Sequence, residues 1–179
     1  MNVCHIIGCG TIGSNLAFAI CKSRMFQEIH VYDDDFVSFS DQPVFPYTSD
    51  SMGLPKVSAL SLVVELVRGD NIEFVEHRIR VKNGIIGAQF VIDCRDRKYE
   101  RVQSDMRLSM DGPVLIIDCR DEYPDIDDYH EYVMDNDYAF IDLGIAIVIN
   151  YIFRMKYVTK TMTIFNMNRV LQTGDIIDV

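Results

Sequence analysis

Apolar residues along this chain fall into short runs typical of strands, which alternate with stretches of helical spacing. The run NVCHIIG (2–8) is rich in β-branched residues and leads through glycines into SNLAFAICKSRM (14–25), whose apolar positions recur at helical spacing. The same succession follows with a strand over EIHVYDDD (28–35), a helix over LPKVSALSLVVELVRG (54–69) and a strand over IEFVEHRI (72–79). The first half of the chain is therefore predicted to consist of β and α units in alternation.

The second half continues this order with more strongly apolar strands. AQFVIDC (88–94) and PVLIIDC (113–119) are typical of buried strands, and DRKYERVQSDMRLSM (96–110) between them predicts a helix. AFIDLGIAIVINYIFRM (139–155) predicts an apolar helix, and TKTMTIFNMNRVLQ (159–172) predicts a closing strand. We expect one α/β domain over residues 1–179, a Rossmann-like doubly wound, mostly parallel sheet with helices on both faces and a closing antiparallel edge strand.

Composition narrows the possible environments and partners. The chain has 179 residues, of which 49% are hydrophobic, and no apolar stretch of membrane-spanning length or signal sequence is expected. Five scattered cysteines without a C-x-x-C pair, and four histidines without ligand spacing, predict neither a disulfide framework nor a zinc site. The net charge of −10 opposes nucleic-acid binding. A cytoplasmic protein without nucleic-acid or membrane partners is the expectation.

A glycine pattern follows the first predicted strand. Gly8, Gly10 and Gly13 form G-x-G-x-x-G at the entry to the first helix, where glycines permit a tight turn, close approach of a phosphate and close helix packing. Asp33 ends the second strand, and its carboxylate is suited to accept hydrogen bonds from ribose hydroxyls. These residues alone do not decide whether the turn binds a ligand at all. If it does, NAD and ATP fit equally well.

The residues after Asp33 separate the two nucleotides. YDDDFVSFSDQPVFPYTSDSMGLPKVSAL (32–60) resembles, in order and spacing, the D-x-D-x-V-x-x-S-N-x-x-R-Q and G-x-P-K-V blocks of the ThiF/MoeB/HesA family, the ubiquitin-activating-enzyme-like adenylyltransferases. VIDCRDRKYER (91–101) is similar to that family's D-C-x-D-N-x-x-x-R block. The matching residues are Asp33, Asp35, Val37, Ser40, Gly53, Pro55, Lys56, Val57, Asp93, Cys94, Asp96 and Arg101.

The resemblance implies an activity and its participants. Such enzymes bind ATP and Mg²⁺, adenylate the C-terminal carboxylate of a small ubiquitin-like or sulfur-carrier protein, and commonly form homodimers. By matched position, Lys56 would contact the phosphates and Asp96 the Mg²⁺, and both would be catalytic. The nucleotide-binding residues would be Gly8, Gly10, Thr11, Ile12, Gly13, Asp33, Asp35, Lys56 and Cys94.

Several positions depart from the family pattern. Asp41 stands where the family has an asparagine, and Val44 where it has a phosphate-binding arginine. Arg95 or Arg97 would supply the missing charge, unless these arginines are solvated or pair with neighbouring acids. Three hypotheses therefore stay open, which are an adenylyltransferase, a degenerate nucleotide-binding or scaffold subunit, and an NAD-dependent oxidoreductase.

The family's long crossover region corresponds here to a shortened acidic segment over residues 119–137. Its carboxylates either form a solvated loop or attract a basic partner. Cys119 begins this segment, and it is either a thioester-forming cysteine or, on the more ordinary interpretation, a buried cysteine at a strand end.

Overall fold

A computed structural model describes residues 2–41, 46–69, 71–95, 102–111, 114–119, 139–154 and 162–166. The strands are β1 (Val3–Ile7), β2 (Glu28–Tyr32), β3 (Glu73–His77), β4 (Val91–Asp93), β5 (Met106–Asp111), β6 (Val114–Asp118) and β7 (Met162–Asn166). The helices are α1 (Thr11–Ser23), α2 (Lys56–Val64) and α3 (Ala139–Arg154), with single 3₁₀ turns at Phe39–Asp41 and Ser49–Ser51.

The strands form one seven-stranded sheet in the order β3-β2-β1-β4-β5-β6-β7. β3, β2, β1, β4 and β5 run parallel, whereas β6 pairs antiparallel with both β5 and β7. The order reverses at β1, because the chain moves outward to β2 and β3 and then returns to β4 on the other side. This reversal places the residues after β1, β2 and β4 at one edge of the sheet, where doubly wound folds bind ligands.

One face of the sheet carries the main core, and we call it the helix face. Ile6 and Ile92 from the strands pack there with Leu16 of α1, Leu60 of α2 and Val148 of α3 in one apolar cluster. The helices are placed by their own sequence, since the residues that α1 buries are those that recur at helical spacing. α1 contacts both α2 and α3, so all three described helices cover this face.

The opposite face, which we call the loop face, has a different cover. A smaller cluster there combines Ile7, Tyr32 and Val91 from the strands with Val81 and Val102 from connecting segments. The sequence pattern predicted helices on both faces, but the cover described on the loop face is loop residues. The chain reaches this face between β3 and β4, where residues 78–90 form no helix.

The Rossmann-like class and most elements are confirmed, but the helix predicted over 96–110 is wrong at its C-terminal end. Met106–Asp111 forms strand β5 and makes an antiparallel pair with β6. Met106, Leu108 and Met110 alternate with polar residues, and this two-residue period is typical of a strand. Burial of Met106 and Leu108 between neighbouring strands then decides for the strand.

The last third of the described chain agrees with the prediction. α3 and β7 lie where an apolar helix and a closing edge strand were expected. The acidic residues 121–137 lie outside the described residues. None of the described helices combines the length and apolarity that crossing a membrane requires.

Candidate functional site

The glycine turn between β1 and α1 is held by close backbone packing. Gly8 has φ +91°, a conformation that favours glycine. A Cβ on Gly13 would lie 1.8 Å from the carbonyl oxygen of Gly8, so only glycine fits this helix position. By contrast, a Cβ on Gly10 would meet no atom within 4 Å. The turn is therefore tight on its protein side and open at Gly10, as a phosphate requires.

Helix α1 presents an uncapped N-terminus to this open space. Gly10 is the N-cap residue and supplies no side-chain hydrogen bond, and the first turn holds no acidic residue. Thr11 is exposed and Ile12 is half-buried. The first N–H groups of a helix have no intrahelical acceptors and carry the positive end of the helix dipole. An anion at this point would meet oriented donors without a competing carboxylate from the helix itself.

Asp33 connects the end of β2 to the glycine turn. Its Oδ2 accepts a hydrogen bond from the N–H of Cys9 at 2.6 Å, and its Oδ1 accepts one from the N–H of Asp35 at 2.8 Å. The carboxylate thus ties the loop after β2 to the glycine turn after β1. Each carboxylate oxygen has a second acceptor site, so Asp33 retains the capacity to accept a ribose hydroxyl.

A cleft opens on the loop face beside the turn, with about 360 Å³ of empty space that is partly open to solvent. Its floor is apolar and its rim is charged. Arg80 and Asp34 form an ion pair across the rim with Nε and Oδ1 3.1 Å apart. The lining residues are Ile7, Gly8, Tyr32, Asp33, Asp34, Asp35, Ile79, Arg80, Val81 and Arg95. A small planar group next to the carboxylate of Asp33 would fit such a mixed lining.

Lys56 lies at the first position of α2, near the turn. The N–H of Lys56 donates to the carbonyl of Asp35, and its Nζ lies 2.9 Å from Oδ1 of Asp41. Burial lowers the pKa of Lys56, but the hydrogen bond to Asp41 and the charges of Asp41, Asp33 and Asp35 outweigh it and raise the pKa above its usual value. The amine is therefore a permanent cation within an acidic surrounding.

Tyr47 was missed by sequence reasoning, although it joins two parts of the site. Its hydroxyl donates to the carbonyl of Cys9 at 2.5 Å and lies 3.5 Å from the carbonyl of Lys56. The ring is buried in the helix-face core, and burial raises the pKa of the hydroxyl. Tyr47 thus spans the short distance between the glycine turn and the start of α2. A lone tyrosine in a loop carries no sequence signal for this role.

Arg95 follows β4 and closes the other side of the turn. Its guanidinium forms a two-pronged pair with Asp93, with Nε–Oδ1 at 2.9 Å and Nη2–Oδ2 at 3.0 Å, and Nη1 donates to the carbonyl of Val81. Asp93 is fully buried. Of the two arginines considered as replacements for the missing cation, Arg95 pairs with a neighbouring acid, and Arg97 lies outside the described residues.

Three consecutive carboxylates follow β2 at the cleft. Oxygen atoms of Asp33, Asp34 and Asp35 lie within 4.8 Å of one another, a spacing that one metal ion can bridge. Carboxylate oxygens are the ligands that Mg²⁺ prefers. Asp96, the residue expected to hold Mg²⁺, lies outside the described residues, so its role stays a prediction.

Three histidines meet on the loop face, although their sequence spacing indicated no site. Nδ1 of His30 lies 2.8 Å from Nε2 of His77, and Nε2 of His30 lies 2.5 Å from a carboxylate oxygen of Glu28. His5 stacks on His30 and hydrogen-bonds the hydroxyl of Tyr32, which stacks on His77. We call these five side chains the histidine ladder. Parallel register across β1, β2 and β3 creates it.

The predicted site residues thus take several distinct positions. Gly8, Gly10, Thr11, Ile12 and Gly13 form the turn and helix start, with Asp33, Asp35 and Lys56 gathered beside them. Cys94 is buried behind the turn, where burial raises the pKa of its thiol. Cys119 is buried in the helix-face core at the end of β6, the placement of a strand-end cysteine.

Comparison with known proteins gave matches among solved structures alone. No family model and no curated protein matches the sequence. The structure of PaaA is similar with a TM-score of 0.67 and 15% identity, over 100% of this chain and 63% of that one. E. coli MccB solved with MccA is similar with a TM-score of 0.71 and 13% identity, over 98% and 62% of the chains.

E. coli MccB solved with ATP shows the same likeness, with a TM-score of 0.66 and 14% identity over 98% of this chain. The present chain spans somewhat less than two thirds of the length of PaaA and MccB. At such identities the likeness establishes the fold and leaves activity open. The comparisons show that this chain has the fold of PaaA and MccB, and its mostly parallel sheet is the Rossmann-like class that the sequence predicted.

Proposed function

We propose that this chain binds ATP and transfers its adenylyl group to the C-terminal carboxylate of a small ubiquitin-like or sulfur-carrier protein. The observation that carries the proposal is the open glycine turn at the uncapped start of α1, with Asp33 on one side and Lys56 on the other. The fold is that of MccB, which has been solved with ATP and with MccA.

The geometry suggests how the nucleotide would lie. Adenosine would occupy the cleft on the loop face, with a ribose hydroxyl donating to Asp33. The phosphates would extend across Gly10 to the first N–H groups of α1, within reach of the ammonium of Lys56. Because this arrangement offers a cation and oriented amides but no nucleophile of its own, its chemistry is positioning and charge stabilisation.

In the proposed reaction, a carboxylate oxygen of the carrier protein attacks the α-phosphorus of ATP. The new bond joins that oxygen to phosphorus, the bond from the α-phosphorus to the bridging oxygen breaks, and pyrophosphate leaves with the electron pair. The amides of α1 and Lys56 would stabilise the negative charge that develops on the phosphate oxygens. The step requires no redox partner and no covalent bond to this chain.

When bound, Mg²⁺ would supply positive charge that offsets the negative charge of the phosphates. The all-oxygen donor set of Asp33, Asp34 and Asp35 fits such a hard cation, and the predicted ligand Asp96 follows the neighbouring strand β4. Within the described residues, Asp33 is already anchored by two backbone N–H groups, which would hold its oxygens in place.

Calorimetry tests the proposal with ATP plus Mg²⁺, and with NAD under the same conditions. We expect saturable binding of ATP and none of NAD at comparable concentrations. The second measurement is ATP–pyrophosphate exchange in the presence of small carrier proteins, which reports adenylate formation. Binding of NAD in preference to ATP would overturn the proposal and favour the oxidoreductase alternative.

A degenerate nucleotide-binding subunit is the second candidate, and two observations favour it. Val44 stands in the sequence position of the family's phosphate-binding arginine, and Arg95 is engaged by Asp93. Such a subunit would bind ATP yet support no pyrophosphate exchange with any carrier protein. Exchange that depends on Lys56 would exclude this second candidate.

We also propose a twofold homodimer. Phe153 on α3 is 61% exposed on an otherwise strongly apolar helix, which leaves more hydrophobic surface than contact with α1 uses. Light scattering at micromolar concentration tests the assembly. A monomeric mass would contradict it.

A further inference from the structure

The ammonium of Lys56, which would contact a bound phosphate in the proposed function, forms an ion pair with Asp41. The side chains of Lys56 and Asp41 are only 12% and 17% exposed, so their ion pair is partly shielded from water. A shielded pair is screened less by salt and is worth more than an exposed one. The ammonium of Lys56 therefore already has an anionic partner before any nucleotide binds.

Asp41 is itself firmly anchored. Its Oδ2 accepts hydrogen bonds from the N–H of Ser38 at 2.8 Å and from the hydroxyl of Ser38 at 2.7 Å, while Oδ1 faces Lys56. Burial raises the pKa of this carboxyl, but the bonds from Ser38 and Lys56 outweigh it and keep the pKa below its usual value. The carboxylate is thus charged and fixed, and it cannot swing away with Lys56 without losing both serine donors.

The charges around Lys56 are unbalanced. The charges of Asp33, Asp35 and Asp41 all raise the pKa of its ammonium, and Asp41 contacts the ammonium at 2.9 Å. The carboxylate of Asp33 accepts hydrogen bonds from the N–H groups of Cys9 and Asp35, whereas the carboxylate of Asp41 contacts the amine directly. A bound polyphosphate would compete with Asp41 for Lys56 and would feel its negative charge at short range.

We propose that Asp41 is a positioning residue that holds Lys56 and thereby sets how strongly this site binds the phosphate chain of a nucleotide. The inference rests on the proposed function, since it assumes that the phosphates lie at the start of α1. It deepens that function by assigning phosphate discrimination to one residue. Asp41 weakens ligand binding more strongly as the negative charge of the ligand grows. Adenosine should be unaffected, and the effect should increase from AMP through ADP to ATP.

The experiment compares wild type with Asp41→Asn in calorimetric titrations of adenosine, AMP, ADP and ATP at low and high salt. Asparagine keeps the shape and can still accept from Ser38, but it has no charge. We expect ATP to bind about three- to tenfold more tightly to the variant, with a smaller gain for ADP and none for adenosine. The gain shrinks at high salt because the repulsion is screened.

Asp50→Asn is the matched control. Asp50 is exposed and does not line the cleft, and its replacement removes the same charge from the protein. We expect it to leave all four affinities unchanged, because a general change in net charge is not the cause. Equal gains in Asp50→Asn and Asp41→Asn would overturn the inference, as would an Asp41→Asn gain that is the same for adenosine and ATP.

Ser38→Ala provides a second variant that keeps the charge of Asp41 and removes one of its anchoring donors. It should tighten ATP binding in the same direction by about two- to threefold and serves if Asp41→Asn does not fold. If wild type binds ATP and these variants bind it with the same affinity, the role of Asp41 is overturned and the proposed function stands. Absence of binding by any of the four ligands to wild type would overturn the proposed function, and the inference with it.

Discussion

The two faces of the sheet differ in what covers them and in what they do. The helix face buries an apolar cluster contributed by three helices and by the strands β1, β2, β4, β5 and β6. The loop face has a small apolar cluster, the histidine ladder and the cleft, under a cover of loop residues. The difference indicates that stability comes mainly from the helix face, while the loop face can tolerate polar groups and an opening.

The glycine turn lies where the two faces meet, and breaking it should have the largest effect. Gly13→Ala would place a Cβ 1.8 Å from the carbonyl oxygen of Gly8, a backbone atom that cannot move without undoing the turn. We expect loss of at least about 4–5 kcal/mol in the free energy of unfolding, measured by urea denaturation. Gly10→Ala is the control, since its Cβ meets nothing, and should change stability by less than about 1 kcal/mol.

Adjacent isoleucines on β1 compare the faces directly. Ile6 is buried in the helix-face core, whereas Ile7 is equally buried but lines the cleft. Ile6→Ala should cost roughly 2–5 kcal/mol of stability, because close packing on all sides prevents collapse around the cavity. Ile7→Ala should cost less, since the cleft offers water and room to relax.

Urea denaturation of both variants measures this comparison, and calorimetry with ATP adds a second readout. Ile7→Ala should weaken nucleotide binding, and Ile6→Ala should leave it intact where the protein is folded. Equal losses of stability in the two variants would contradict the division of labour between the faces.

Replacement of Lys56 tests the binding side of the comparison. Lys56→Ala should weaken ATP binding by about 1.5–3 kcal/mol, the range for hydrogen bonds to charged groups, and leave adenosine binding nearly unchanged. Lys82→Ala, at an exposed lysine of the loop-face cover, is the control and should change neither affinity. Unaltered ATP binding in Lys56→Ala would show that the phosphates lie elsewhere.

The histidine ladder predicts a smaller, pH-dependent effect. Burial lowers the pKa of His5 and of His77, and the charges of the neighbouring histidines lower it further, although Glu28 opposes this for His5. Because the folded pKa lies below the unfolded value near 6.5, the unfolded chain binds more protons in this range. Stability is therefore full above about pH 6.5 and falls as the pH is lowered from there towards the folded pKa values.

Thermal melting from pH 8 to pH 5 measures this effect. We expect the melting temperature to be nearly constant between pH 8 and 7 and to be lower at pH 5. Each kcal/mol of stability that protonation costs should lower it by about 2–4 °C. His77→Asn should reduce the fall, because it removes one of the two affected groups. A midpoint that rises on acidification would contradict the sign of the shifts.

The local elements of the site were predictable because they depend on neighbours in sequence. Strand, glycine turn and helix follow one another within twenty residues, and the φ of Gly8 and the open space at Gly10 need only this short stretch. The blocks that contain Asp33 and Lys56 were also found from their order and spacing. These residues then come together because the carboxyl ends of parallel strands meet at one edge of the sheet.

Other features were beyond prediction because their partners are distant in sequence or weakly patterned. The helix expected over 96–110 failed since the alternation of Met106 and Leu108 competes with helical spacing, and only pairing with β4 and β6 decides between them. The histidine ladder depends on a register across three strands. A shift by one residue would turn each histidine to the other face.

The sequence by itself determined the fold class, the glycine turn and the set of charged residues near it. Which charge pairs with which was decided by tertiary structure alone. Lys56 could face a phosphate or Asp41, and Arg95 could replace a missing cation or bind Asp93, and the described contacts select Asp41 and Asp93. The physical reason is that an ion pair forms between the groups that folding brings within a few ångströms and shields from water, and sequence spacing does not encode that distance.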